Sequence, residues 1–167
     1  MEHIELWRGK KMKVPTKLIL ILALIGMVVM PGISYAGSSS KAKAIEIKGD
    51  VRYMKLGATS WEALDTTVIL EENDSIRTGP DSEVKLVLMG SAKTAEITIG
   101  SEADFKFDTF RHDEATKTEN TILNIGVGRV LVKAEKLVGE SKFQVKTPTS
   151  IVGIRGTVFE VNVPKPQ

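Results

Sequence analysis

Residues 104–108 read Asp-Phe-Lys-Phe-Asp, and residues 83–89 read Glu-Val-Lys-Leu-Val-Leu-Met. In both segments charged and apolar residues alternate over most of the length, which sends the apolar side chains to one face of an extended strand and the charges to the other. This period of two indicates half-buried β-strands. The two segments therefore predict strands that form one side of a hydrophobic core.

The same pattern recurs in short segments that Gly, Asp, Asn, Ser or Pro separate. A spacing of about 8–12 residues between such segments is typical of an all-β sandwich or barrel. We therefore predict a single antiparallel β-sandwich or barrel-like domain over residues 44–163. The predicted strands are Ala44–Lys48, Val51–Leu56, Val68–Leu70, Glu83–Met89, Ala95–Ile99, Asp104–Phe110, Thr121–Asn124, Arg129–Ala134, Phe143–Lys146 and Thr157–Val163.

The first 36 residues have the three parts of a secretory signal peptide. A basic segment, residues 8–17, precedes the uncharged apolar run 18–30, and Ser34-Tyr35-Ala36 places small residues where signal peptidase reads them. We expect cleavage after Ala36 and export to the periplasm or the extracellular space. An uncleaved anchor in the inner membrane is the alternative. Residues 37–43 are then expected to be a polar linker, and residues 164–167 a short tail.

The charge of the chain is concentrated in this targeting segment. The whole chain carries a formal net charge of +2, but five of its 23 basic residues and two of its 21 acidic residues lie in the first 36 positions. The exported part is therefore nearly neutral, and net charge does not attract it to nucleic acid or anionic lipid. We expect no nucleic-acid partner, and membrane contact only through the signal segment.

Composition also disfavours catalysis. The chain has no cysteine, which excludes disulfides, thiolate metal sites and a cysteine nucleophile. Its two histidines leave little for a histidine-rich metal site or a histidine-based triad. His112 is the one histidine after residue 36, and no serine beside it forms a nucleophile–base pair. We interpret it as an exposed residue of a polar loop, Arg111–Asn120, and the acidic cluster Glu71–Asp74 as a solvated turn. We predict that the protein is not an enzyme and holds no cofactor and no metal.

Residues 147–161, Thr-Pro-Thr-Ser-Ile-Val-Gly-Ile-Arg-Gly-Thr-Val-Phe-Glu-Val, form the most distinctive segment. Pro148 favours a turn after the preceding strand. Gly153 and Gly156 permit conformations or close approaches that larger residues do not. Arg155 stands between apolar residues, so its guanidinium either clamps a turn or bulge through backbone carbonyls or binds a ligand or partner.

This segment resembles the terminal motif of the FecR domain family. Gly49-Asp50-Val51, residues 70–79, residues 84–88 and residues 125–130 resemble further segments of that family in the same order, so the resemblance covers about residues 45–163. It implies an all-β, extracytoplasmic domain. The residues of this sequence that fall on the family's motifs are Gly49, Asp74, Thr78, Gly79, Thr147, Pro148, Gly153, Gly156, Thr157 and Phe159.

The best-known members of the family relay a receptor's signal across a membrane to a sigma factor. Only 17 residues precede the apolar run here, so we do not expect a sigma-binding region. We expect instead a protein-binding or signal-relay module of the bacterial envelope, with an unidentified envelope protein as partner and weak self-association through unpaired sheet edges. A membrane-anchored regulator is the alternative if the signal segment is retained.

A glycan- or peptidoglycan-binding β module is a further alternative. Tyr53 and Trp61 support it, and the indole of Trp61 beside polar turns can stack on a sugar ring. The same residue can instead cap the core of the first hairpin. Arg155 and Trp61 are therefore the candidate binding residues.

Overall fold

The computed structural model describes residues 38–89, 95–113, 115–134, 139–154 and 158–165. These residues form thirteen strands, which confirms the all-β prediction. No helix that could cross a lipid bilayer occurs among them. The strands are β1 (Ser38–Ser39), β2 (Lys41–Lys48), β3 (Val51–Met54), β4 (Glu62–Ala63), β5 (Ile69–Leu70), β6 (Ser75–Thr78), β7 (Glu83–Met89), β8 (Ala95–Ile99), β9 (Asp104–Asp113), β10 (Thr118–Lys133), β11 (Lys142–Lys146), β12 (Ile151–Ile154) and β13 (Val158–Val163).

The strands belong to one curled sheet, and the long strand β10 divides it into two parts. We call β4-β3-β6-β9-β10-β11-β12 sheet A, in which β1 also pairs with β9, and β5-β2-β7-β8-β10-β13 sheet B. The strand pairs are antiparallel as predicted, except that β10 and β11 run parallel.

Strand β10 passes from sheet A to sheet B at its glycines. Its first half lies between β9 and β11, and its second half lies between β8 and β13. Gly128, at this passage, has a φ of 103°, which side chains rarely tolerate. A Cβ there would lie 2.5 Å from the Cα of Ala103. Only glycine lets β10 approach the turn before β9 this closely.

Chain connectivity requires β10 to curve so that the two sheets face each other. Ile154 pairs with Phe143 of β11, which pairs in turn with Thr121 near the start of β10. Val158 pairs with Lys133 at the end of β10. Three residues separate Ile154 from Val158, so the Cα atoms of these two residues are at most about 14 Å apart. The rings of Phe143 and Phe159 accordingly meet across the sheets with centroids 6.4 Å apart.

The core between the sheets consists of the residues that the alternation selects. Burying each such side chain fully contributes about 1.5–3 kcal/mol. Strand β13 is only half-buried on its inner face. The largest fully buried side chains are Phe105, Phe107, Phe110, Leu70, Ile76, Leu86, Ile97, Ile99, Leu123, Ile125, Val84 and Val130.

The expected polar linker, residues 37–43, is wrong from Ser38 onward. Ser38 and Ser39 pair with β9, and β2 begins at Lys41, three residues before the predicted start. Ser40 and Ala42 are buried. The alternation of buried and exposed residues was missed here because serine and lysine occupy most of positions 38–43 and Ala42 is the one apolar residue among them. Residues 1–36, with the proposed signal peptide, lie outside the described residues.

The expected polar loop Arg111–Asn120 is also wrong. Strand β9 continues to Asp113 and β10 begins at Thr118, so the two form a tight hairpin. His112 points inward and is 4% exposed, which corrects its interpretation as an exposed residue. A bulge in β9 shifts the alternation by one residue there, as the register break opposite Ile122 shows.

Candidate functional site

Trp61 lies at the surface of sheet A, outside the hydrophobic core. The guanidinium carbon of Arg77 stands 4.4 Å from the centroid of its ring. Nε and Nη2 of Arg77 also contact Oδ2 of Asp104, each at 2.9 Å. A cation–π contact therefore covers one face of the indole. A sugar ring on that face would have to displace an arginine held by a carboxylate.

The motif residues Gly49 and Gly79 lie at two turns that hydrogen bonds connect to each other. Gly49 has a φ of 78°, and a Cβ there would meet Oγ of Ser82. That hydroxyl accepts a hydrogen bond from Asp50 N and donates one to Pro80 O, both at 2.9 Å. Gly79 N donates to Asp50 O at 2.8 Å. These contacts give both glycines a structural role.

Thr78 fastens β6 to the turn between β8 and β9. Its buried hydroxyl donates to Gly100 O at 2.6 Å and accepts from Ala103 N at 2.9 Å. Both hydrogen-bonding capacities of the side chain are used inside the fold. Thr78 therefore offers nothing to a ligand.

Asp74 is the most buried carboxylate among the described residues, at 2% exposure, so the interpretation of Glu71–Asp74 as a solvated turn is wrong for this residue. It accepts hydrogen bonds from Lys55 Nζ at 2.8 Å, Glu71 N at 2.8 Å and Leu56 N at 3.1 Å. The same ammonium of Lys55 also donates to Ile69 O at 2.5 Å. Asp74 thus joins the end of β3 to the turn before β6, which is a structural role.

The pKa values of Glu72 and Glu119 are shifted in opposite directions. A bidentate pair with Arg111, at 2.9 and 3.0 Å, lowers the pKa of Glu72, and a hydrogen bond from Phe110 N acts in the same direction. Burial raises the pKa of Glu119 near the hairpin tip, partly offset by His112. Within the described ranges, no three His, Asp or Glu side chains are arranged to hold a metal ion.

Thr147 closes the hairpin between β11 and β12. Its backbone N donates to Ser150 O at 2.9 Å, while its Oγ1 accepts from Ser150 N at 3.0 Å and Thr149 N at 3.4 Å. Pro148 lies within this turn, as the sequence predicts. The turn fixes where β12 starts and which of its residues face outward.

Gly153 lies inside β12, where no contact among the described residues requires glycine. Its φ is not positive, and a Cβ placed on it would meet nothing within 4 Å. Phe159 lies in β13 and packs on Phe143. Arg155, Gly156 and Thr157 lie outside the described residues, so the role of Arg155 stays a prediction.

Strand β12 is the surface feature that the sequence analysis missed. Among the described strands it pairs only with β11, and it exposes Ile151 by 63% and Val152 by 39%. A depression of about 600 Å³ lies at its end, lined by Gly139, Glu140, Ser141, Lys142, Gly153 and Ile154. The available signal was an uncharged apolar segment directly after a Thr-Pro turn.

Comparison with known proteins identifies the family. A model of the FecR protein family matches residues 74–167, more than half of the chain. The match begins at Asp74, so Gly49 and the first strands lie outside it. No curated protein and no solved structure shows significant similarity to the chain. The chain belongs to the FecR protein family.

Proposed function

We propose that the protein is an exported, non-catalytic module of the bacterial envelope that binds a protein through the free edge of β12. The observation that carries this proposal is the exposure of Ile151 and Val152 on a strand whose second edge pairs with no other described strand. An unpaired edge offers backbone donors and acceptors to an extended segment of a partner, and neighbouring side chains add specificity. Membership in the FecR family agrees with a signal-relay role.

Site-specific photo-crosslinking in the producing cells tests the binding element. A photoreactive amino acid at Ile151 should give a discrete adduct, because that side chain lies on the free edge. The same amino acid at Val158, which is equally exposed on β13, is the matched control. The proposal requires that the adduct be specific to Ile151 and that Gly153→Glu suppress it. Equal adducts from both positions, or none from Ile151, would overturn it.

The intact mass of the protein from the envelope fraction tests export. We expect a mass that begins at Gly37, since Ala36 ends the proposed signal peptide. A mass that retains residues 18–30 would contradict the soluble module and favour a membrane-anchored regulator.

A further inference from the structure

The strand edges among the described residues are protected to different degrees. β1, β4 and β5 have two residues each. β13 carries Glu160 and ends before Pro164. Short length, charge and proline are the devices by which proteins prevent strands from pairing with other chains. β12 has four residues, no charge and no proline, and its register with β11 is unbroken.

The hydrogen bonding of β12 shows which of its groups face the free edge. Antiparallel pairs alternate between hydrogen-bonded and non-hydrogen-bonded residues. Because Thr147 N donates to Ser150 O, the next hydrogen-bonded pair along the hairpin contains Val152. The backbone N–H and C=O groups of Ile151 and Gly153 therefore point away from β11, toward the outer edge of β12.

These outward groups, with which no described strand pairs, are self-complementary. Two β12 strands related by a two-fold axis perpendicular to the sheet can pair with Ile151 opposite Gly153, so that both outward residues of each copy exchange hydrogen bonds. The axis then passes between the two Val152 residues, which meet on the inner face. Residues that lie opposite each other in the two copies have their side chains on the same face of the sheet, because positions 151 and 153 differ by two. The exposed side chain of Ile151 lies over the open position at Gly153 of the other copy.

We propose that the occupant of the β12 edge is β12 of a second copy of this chain. The inference rests on the proposed function, since it names the protein that the edge binds. No charged side chain stands on β12, so two copies meet without like-charge repulsion. A contact of this length buries less than the ~1,200 Å² of a standard interface, so we expect a dissociation constant on the order of 10⁻⁴ M.

Sedimentation velocity tests this proposal. The sample is the protein purified from its producing cells after removal of the signal peptide, at protein concentrations up to about 1 mM. We expect a reversible monomer–dimer equilibrium. Gly153→Glu places a carboxylate on the seam, and Ile151→Lys places an ammonium there; each should weaken dimerisation at least tenfold. Both sites are exposed, so thermal unfolding should stay unchanged. Val158→Lys, at 64% exposure against 63% for Ile151, is the control and should dimerise as the unchanged protein does.

Three results would overturn the proposal: a monomer at every concentration, a dimer that both seam variants retain, or equal weakening by Val158→Lys. The crosslinking experiment separates this failure from failure of the proposed function. An adduct from Ile151 with a different protein, and none with a second copy, would remove the self-pairing and leave protein binding at β12 standing. No adduct at all would remove both.

Discussion

At the scale of single residues, the motif positions Gly49, Asp74, Thr78, Gly79 and Thr147 hold turns in place. Asp74 and Thr78 have their side-chain oxygens engaged by backbone or lysine donors, and Gly49 leaves room for a serine hydroxyl. Family resemblance could single these residues out. Most of their partners could not be predicted, because every contact except those of Asp74 with Glu71 and those within the Thr147 turn joins segments that are distant in sequence, such as Lys55 and Asp74.

Asp74→Ala should lower the free energy of unfolding by about 2–4 kcal/mol. The change orphans two backbone N–H groups and removes the carboxylate partner of Lys55, and charge-assisted bonds and buried unsatisfied donors each cost about 1–3 kcal/mol. Urea denaturation measures the effect. Asp104→Ala, which removes an exposed ion pair with Arg77, should cost less than about 1 kcal/mol. Equal losses would show that burial of Asp74 does not govern its contribution.

Glu72→Gln should change the pH dependence of stability. Because Arg111 lowers the pKa of Glu72 in the fold, its contribution is present above the unfolded value of about 4.3 and is lost as the pH falls through the folded pKa. The variant should be less stable at neutral pH and should lose less stability on acidification. Glu119→Gln is the opposite case: burial raises that pKa, so the neutral amide should not destabilise the fold at pH 7. Parallel acid-unfolding profiles for Glu72→Gln and the unchanged protein would contradict the assignment.

At the scale of elements, alternation predicted β7 and β8 to the residue, because every inward side chain of these strands is apolar. It missed β1 and β4, which have two residues each, β6, which has one apolar residue (Ser-Ile-Arg-Thr), and β12, which does not alternate (Ile-Val-Gly-Ile). It also divided β10 in two, because glycines are turn signals. The actual role of Gly128, close passage against the turn before β9, depends on tertiary contact with Ala103. The edge position of β12 could not be predicted for the same reason, because the sequence of one strand does not specify which strands pair with it.

A pair of identical substitutions tests the passage of β10. Gly128→Ala should destabilise the protein by about 2 kcal/mol or more, because it combines a strained φ with a clash against Ala103. Gly153→Ala should leave stability unchanged or slightly raised, since its Cβ meets nothing and alanine restricts the unfolded chain. Thermal denaturation of both variants provides the comparison. A similar loss in both would indicate that backbone conformation at Gly153 also requires glycine.

At the scale of the whole molecule, sheets A and B share β10 and one core, so they should unfold together. Native-state hydrogen exchange should give the same opening free energy for Leu86 and Ile97 in sheet B as for Phe105 and Leu123 in sheet A. Edge strands β1 and β12 should exchange at lower free energies. Core classes that differ by more than about 1.4 kcal/mol, a tenfold difference, would show two separately cooperative sheets.

The pairing of the outermost strands also determines how the domain responds to mechanical load. β1 is attached to β9 through two residue pairs, whereas β2 is attached to β7 through seven and β13 to β10 through six. Tension applied between Ser38 and Val163 would therefore detach β1 first and lengthen the tether by a few residues while the core stays closed. The next rupture would have to break β2 from β7 or β13 from β10. The domain thus contains a weak outer attachment that yields under tension before its fold does.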